Sequence, residues 1–160
     1  MTVFKDPFFI VGCVRSGTTM LRNILRLHPL LVSPEETHFF RWAWPFHTVD
    51  YIKTYLNNPT LTKHREIDQI TEEEFLQILD SSISRGDLTN RYMKLFASKN
   101  KPEARCWYDK TPQNVYGVPM MMAEFPAAKF VHIVRNPVDV VSSLRIGSVL
   151  KVEDLVGAAN

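Results

Sequence analysis

A chain of 160 residues, 45% hydrophobic and 22% charged, suits one domain with a sizeable core and an ordinary globular balance. Its net charge of +2 is too small to argue for nucleic acid or an acidic membrane surface as partner, although a pocket for a small anion needs only a few cations. Two cysteines, Cys13 and Cys106, far apart and without a CxxC, exclude a disulfide framework and a cysteine-rich zinc site; they read as free thiols in a reducing, cytoplasmic setting.

The first residues, Met1 to Pro7, carry Lys5 and Asp6 and no long apolar run, which does not fit a signal peptide. No stretch approaches the ~18–20 apolar residues of a membrane span. Phe8-Phe9-Ile10-Val11 is a short apolar run ending at Gly12 and predicts a buried strand. From Thr18 to Leu27, apolar residues Met20, Leu21, Ile24, Leu25 and Leu27 recur at helical spacing until His28-Pro29 stops them. The middle of the chain reads as helical: Val49 to Leu56, then a capping box at Thr71-Glu72-Glu73-Glu74 before Phe75, Leu76, Ile78 and Leu79, then Leu88 to Ala97. Residues 98–102 read as a polar loop. Cys106-Trp107-Tyr108 is a short strand running into Asp109-Lys110-Thr111-Pro112. Val115 to Phe125 is apolar and helical, with Pro119 in its first turn. Residues 129–134 form the second buried strand, with His132 as a core histidine. Asn136-Pro137 opens a helix with Val138, Val141 and Leu144 on one face, and Glu153 to Asn160 begins another. Strands alternating with helices predict an α/β fold with a parallel sheet.

The loop Gly12-Cys13-Val14-Arg15-Ser16-Gly17-Thr18-Thr19 lies between the first strand and its helix. A loop of this kind points backbone N–H groups at an anion, and the helix N-terminus adds partial positive charge. Its plain alternative is a βα turn with two glycines. An ATP-binding loop reads GxxxxGK[ST], with Lys on the β- and γ-phosphates. Here Thr18 stands at the Lys position and the cation is Arg15, so the loop suits one 5′-phosphate better than a triphosphate.

The run from Phe9 to Arg22 resembles the 5′-phosphosulfate loop of sulfotransferases that use 3′-phosphoadenosine 5′-phosphosulfate (PAPS). Its Arg-Ser-Gly-Thr-Thr form is similar to tyrosylprotein sulfotransferases and their bacterial relatives. That resemblance implies a P-loop-type parallel sheet flanked by helices, and assigns Arg15, Ser16, Gly17, Thr18 and Thr19 to the 5′ side of the donor. Val134-Arg135-Asn136-Pro137 through Ser143 matches the family's 3′-phosphate motif, which implies that Arg135 and Ser143 bind that phosphate. A helix-capping cation and a small packing residue are the plain alternatives. Glu35-Glu36-Thr37 matches the family segment whose second Glu is the catalytic base, here Glu36. Asp109-Lys110-Thr111-Pro112 matches the segment whose Lys stabilises the transferring group, here Lys110, while Pro112 stands where cytosolic sulfotransferases carry a His base. Glu35 and Glu36 as first-turn helix residues, and Lys110 as a solvated charge, are the alternatives. His38 stands where tyrosylprotein enzymes have Arg, and the five histidines show no metal-ligand spacing.

The resemblance covers residues 8–37 and 106–145 and not 45–105. It implies one nucleotide-binding domain over 1–160, lacking the family's C-terminal region. The expected reaction moves a sulfuryl group from PAPS to an acceptor hydroxyl on a tyrosine, sugar, lipid or phenol. Glu36 would act as base, Lys110 and Arg15 would stabilise charge, and no metal is required. The rival readings are a P-loop kinase of nucleosides or small molecules, and a non-catalytic nucleotide-binding module.

Overall fold

The computed structural model describes residues 4–146. Strand β1 (Phe8–Gly12) is followed by α1 (Thr18–Arg26), β2 (Leu31–Val32) and four helices: α2 (Val49–Asn57), α3 (Pro59–Ile67), α4 (Glu72–Ser81) and α5 (Arg85–Asn100). Strand β3 (Cys106–Lys110), a 3-10 turn (Pro112–Gly117), α6 (Val118–Glu124), β4 (Lys129–Ile133) and α7 (Pro137–Ile146) complete the described chain. The four strands are parallel and lie in the order β2-β3-β1-β4. The α/β class and the helical middle segment are therefore as the sequence predicts. Ligands of such sheets bind beyond the strand C-termini, which here are Gly12, Lys110 and Ile133.

Strand β1 is central, and its run is apolar because both faces are covered. Phe9 packs its ring against Phe40, Trp107, Phe125 and Phe130. A second aromatic group, Phe39, Tyr55, Phe75 and Tyr92, joins α2, α4 and α5 to the loop after β2 and belongs to the same core. Each fully buried large side chain contributes about 1.5–3 kcal/mol, so the helical middle is part of the fold that carries the sheet.

The middle helices are capped by their own side chains. Thr48 Oγ1 accepts from Tyr51 N–H, Asn58 Oδ1 from Thr60 and Leu61 N–H, and Ser84 Oγ from Asp87 N–H. Thr71 and Glu74 form the reciprocal capping box that the sequence announces. None of the described helices is long and apolar enough to cross a membrane.

Several sequence expectations need correction. Helix α3 and strand β2 have no counterpart among the predicted elements. Helix α5 runs from Arg85 to Asn100 through most of the expected loop at 98–102, because its polar end faces solvent and needs no apolar stripe. The stretch 115–125 divides into the 3-10 turn and α6, with Pro119 in the first turn of α6.

Strand β4 is not buried. It pairs only with β1 among the described residues, Lys129, Val131 and His132 are exposed, and His132 is not a core histidine. On α7 the buried positions are Val140 and Leu144, one turn apart, while Val138 is exposed. Helix α1 likewise buries Thr18 and Arg22 and exposes Met20, Ile24 and Leu27. The helix expected from Glu153 lies outside the described residues.

Candidate active site

The loop after β1 needs glycine at two places. Gly12 has φ +146°, and a Cβ there would stand 2.5 Å from the Ile133 carbonyl oxygen, so only glycine lets β4 approach this closely. Gly17 has φ +96° and is the N-cap of α1. Among the described residues no side chain caps that helix and no acidic residue occupies its first turn, which leaves its N–H groups and positive dipole end open to an anion. Ser16 Oγ is buried and has no hydrogen-bond partner among the described residues.

The two predicted phosphate-binding elements meet. Arg15 Nε donates to Ser143 Oγ at 3.1 Å, and Arg135 Nη1 donates to the Arg15 carbonyl oxygen at 3.1 Å. Strand β4 lies parallel to β1 over its whole length, with Gly12 opposite Ile133, so both loops leave the sheet at the same end. Arg15 and Arg135 are exposed, and Arg135 is only loosely balanced by Asp139, 3.9 Å away.

Glu36 follows β2 in an irregular segment, not in the first turn of a helix. Its carboxylate pairs with the ammonium of Lys110, the last residue of β3. The Lys110 side chain is 2% exposed, so it is no solvated loop charge. Lys110 Nζ also stands 3.4 Å from Thr19 Oγ1 and thus joins the Glu36 segment to the loop after β1. A cleft of about 380 Å³ is lined by Arg15, Gly17, Thr18, Thr19, Glu36, Pro112, Arg135 and Ser143, together with Val14. Ser16 and Lys110 do not line it; Lys110 lies behind its partner Glu36.

The segment that carries Glu36 is fastened from several sides. Glu35 points away from the cleft, where Arg22 Nη1 and Arg26 Nη2 donate to its two oxygens at 2.7 and 3.2 Å. Burial pushes the Glu35 carboxyl up, but Arg22 and Arg26 outweigh it and hold the group below its ordinary range. The Glu35 N–H donates to Asp68 Oδ1 at 2.8 Å, and His64 Nδ1 lies 2.9 Å from the Glu36 carbonyl oxygen. Thr37 N–H donates to Thr111 Oγ1, and Thr37 Oγ1 donates to Asp109 Oδ2, both at 3.0 Å.

Asp109 is a buried hub. It accepts from Thr37, from Thr111 Oγ1 at 2.9 Å and from Asn114 Nδ2 at 2.7 Å, while Asn114 Oδ1 accepts from Phe40 N–H. Burial raises its carboxyl to about 6 against the opposing hydrogen bonds from Thr111 and Thr37. Asp68 is also raised to about 6 by burial, opposed by hydrogen bonds from Tyr92 and the Glu35 N–H.

His38 adjoins Glu36. Its Nε2 stands 3.5 Å from Glu36 Oε2, and its side chain is 4% exposed. Burial first, and then the charges of Arg41, His64 and Lys110, push the imidazole down to about 3, so it is neutral near pH 7. His38 and Arg15 both hold left-handed backbone conformations, with φ 56° and 65°. Strained non-glycine backbone of this kind persists where surrounding structure enforces it.

The structure brings Arg15, Thr18, Thr19, Glu36, Lys110, Arg135 and Ser143 together at one end of the sheet. Sequence reasoning missed Arg22, His64, Asp68 and the role of Asp109. Asp109 opens the Asp109-Lys110-Thr111-Pro112 segment, and Asn58-Pro59 is a helix-start signal that announces the element carrying His64 and Asp68.

A profile of the Sulfotransferase family matches residues 7–150, running through the middle segment as well as both predicted phosphate motifs. The nodulation protein NoeE of Sinorhizobium fredii is 29% identical over 138 residues, covering 86% of this chain and 30% of that protein. The chain thus spans less than a third of the length of this relative. Among solved structures, sulfotransferase STF9 from Mycobacterium avium aligns with 88% of this chain and 45% of its own, at 16% identity and a TM-score of 0.46. Sulfotransferase STF1 from Mycobacterium tuberculosis aligns with 90% of this chain and 50% of its own, at 20% identity and a TM-score of 0.44. With the family profile spanning nearly its whole length, the chain belongs to the sulfotransferase family.

Proposed function

We propose that this chain forms the donor-binding and base-bearing part of an enzyme that transfers a sulfuryl group from PAPS to an acceptor hydroxyl. The observation that carries the reading is the cleft in which an uncapped helix N-terminus, Arg15, Arg135 and Ser143 face Glu36. The cations and the free N–H groups have the chemistry for the two phosphates of PAPS, and Glu36 has the chemistry for the acceptor proton. The Ser16 hydroxyl within the loop, without a partner among the described residues, supports an anion there as well.

In this reading the adenosine 3′-phosphate meets Arg135 and Ser143, since an Arg fork suits phosphate oxygens. The 5′-phosphosulfate lies against the loop from Ser16 to Thr19. The acceptor oxygen attacks sulfur as the bond to the bridging phosphate oxygen breaks. Its proton passes to Glu36, and the electron pair leaves on 3′-phosphoadenosine 5′-phosphate (PAP). Lys110 and Arg15 stabilise charge on the sulfuryl and bridging oxygens, Glu36 acts as general base, and holding donor and acceptor in line supplies much of the remainder.

Calorimetric titration with PAP, 5′-AMP and ATP tests the donor assignment. PAP should bind tightest, since it presents both phosphates to the cleft. ATP binding as tightly as PAP, and only with Mg²⁺, would move the chain to the kinase reading.

A further inference from the structure

We infer that His64, on α3, is a positioning residue that aims Glu36, so that the helical middle segment governs the base; this rests on the reading of Glu36 as the base. A carbonyl oxygen only accepts, so the 2.9 Å contact between His64 Nδ1 and Glu36 O requires the proton on Nδ1. The same imidazole stacks on His38, with ring centroids 5.9 Å apart and planes 13° apart. His38 Nε2 in turn stands 3.5 Å from Glu36 Oε2. His64 therefore reaches Glu36 twice: through its main chain directly, and through its carboxylate by way of the stacked ring.

The surroundings give this contact little slack. Glu35 N–H is held by Asp68 on the same helical segment, four residues beyond His64, and Thr37 N–H is held by Thr111. The peptide between Glu36 and Thr37 is thus held from both ends, by His64 on α3 and by Thr111 just past β3, and the peptide before Glu35 is held by Asp68 at the end of α3. His38 is wedged between His64 and Trp42, its carbonyl oxygen accepts from Tyr55 at 2.7 Å, and its buried Nδ1 has no partner among the described residues. A ring so placed, with φ 56°, has few other positions open to it. Reacting groups must be held close to productive geometry, and a misplacement of about 1 Å costs up to ~10²-fold in rate.

The test compares His64→Ala, His64→Asn and Glu36→Gln in the full chain. The amide nitrogen of Asn occupies the place of Nδ1 and can donate to Glu36 O, whereas Ala cannot. The first readout is the ¹³C resonance of the Glu36 side-chain carboxyl, identified by its loss in Glu36→Gln, which needs no acceptor. It should move toward the values of solvated glutamates in His64→Ala and stay in place in His64→Asn. The second is ³⁵S release from PAPS to water or to 4-nitrophenol as probe acceptor. His64→Ala should lower kcat by ~10–10²-fold with KM for PAPS unchanged, and His64→Asn should restore most of it.

A Glu36 resonance that stays put in His64→Ala overturns the inference. So does an equal shift in both His64 variants with an equal fall in melting temperature, which would make His64 a structural staple. If Glu36→Gln leaves ³⁵S release unchanged, the base assignment fails instead, and the carboxyl resonance still decides whether His64 holds the segment.

Discussion

The two walls of the cleft are built on opposite principles. On the wall proposed for the donor, α1 starts at Gly17 with no side-chain cap and Ser16 Oγ has no partner among the described residues, and Arg15 and Arg135 are exposed. On the wall that carries the proposed base, the segment from Glu35 to Thr37 is held by Asp68, His64, Thr111 and Asp109, and Lys110 is buried against Glu36. Hydrogen-bonding capacity left open is costly unless a ligand completes it, and a base loses rate when its aim wanders. In the proposed reading, the wall that receives a polyanion is therefore left incomplete, whereas the wall that aims one carboxylate is overdetermined. The four middle helices are each capped by their own Thr, Asn or Ser, whereas α1, like α6, starts at a glycine with no side-chain cap, and of these two it is α1 whose start lines the cleft.

The contrast predicts that substitutions on the two walls separate chemistry from binding. Glu36→Gln should give the largest effect, a fall in turnover of ~10²–10⁴-fold, with PAP affinity nearly unchanged by calorimetry. Loss of PAP affinity equal to the loss of turnover would show that Glu36 belongs to the donor wall. Arg135→Ala should do the reverse. It should weaken PAP by ~1.5–3 kcal/mol, the range for a hydrogen bond to a charged group, and leave 5′-AMP binding almost as it was. Equal losses for PAP and 5′-AMP would remove the 3′-phosphate from Arg135.

The donor wall is the more legible in sequence, for a physical reason. Its function depends on local features that need fixed neighbours: glycines at Gly12 and Gly17, hydroxyls at Thr18 and Thr19, and Arg135 one residue before Asn136-Pro137. The base wall depends on contacts 28 to 74 residues apart in sequence, such as His64 to Glu36, Asp68 to Glu35 and Thr111 to Thr37. Spacing carries no trace of these. Helix α3 escapes because its nine residues, Pro59 to Ile67, hold few apolar side chains, while β2 is two residues long and too short for any pattern. Strand β4 reads as buried because Phe130, Val131 and Ile133 are apolar; its exposure follows from pairing with β1 alone among the described residues. Helix α1 misleads in the same way, since its apolar stripe of Met20, Ile24 and Leu27 is exposed while Arg22 turns inward to Glu35.

Buried carboxylates on the base wall leave a pH signature that the donor wall lacks. Burial raises Asp109 from 3.8 to about 6. Between those values the folded chain keeps a proton that the unfolded chain has lost, so this group's stabilisation is complete below pH 3.8 and is lost as pH rises through about 6. Asp68 contributes in the same direction, while Glu35, held low by Arg22 and Arg26, works oppositely as pH falls. A tenfold change in proton affinity is worth about 1.4 kcal/mol, so Asp109→Asn should remove ~1–3 kcal/mol of pH dependence between about pH 4 and 7. Denaturant melts at several pH values read this as the difference between the two proteins. Parallel curves would mean that Asp109 ionises near its ordinary value despite its burial.

The smallest effects sharpen the contrast furthest, because they set two threonines near helix starts against each other. Thr71 caps α4 in a reciprocal box with Glu74, and its work is finished within the fold. Thr19, in the first turn of α1, is exposed and lines the cleft, and the donor to its hydroxyl is Lys110 Nζ at a long 3.4 Å. Removing a cap of the first kind costs ~1 kcal/mol of stability, so Thr71→Ala should lower the melting temperature and leave PAP affinity untouched. Removing an exposed hydroxyl costs the fold little, so Thr19→Ala should melt as the parent does. It should instead weaken PAP by ~0.5–1.5 kcal/mol, the net worth of one hydrogen bond. The crossed pattern is what matters: each variant moves one measurement and spares the other. If Thr19→Ala destabilised the chain as much as Thr71→Ala and left PAP binding alone, the N-terminus of α1 would be an ordinary helix start, and the donor wall would lose its distinction from the capped helices behind it.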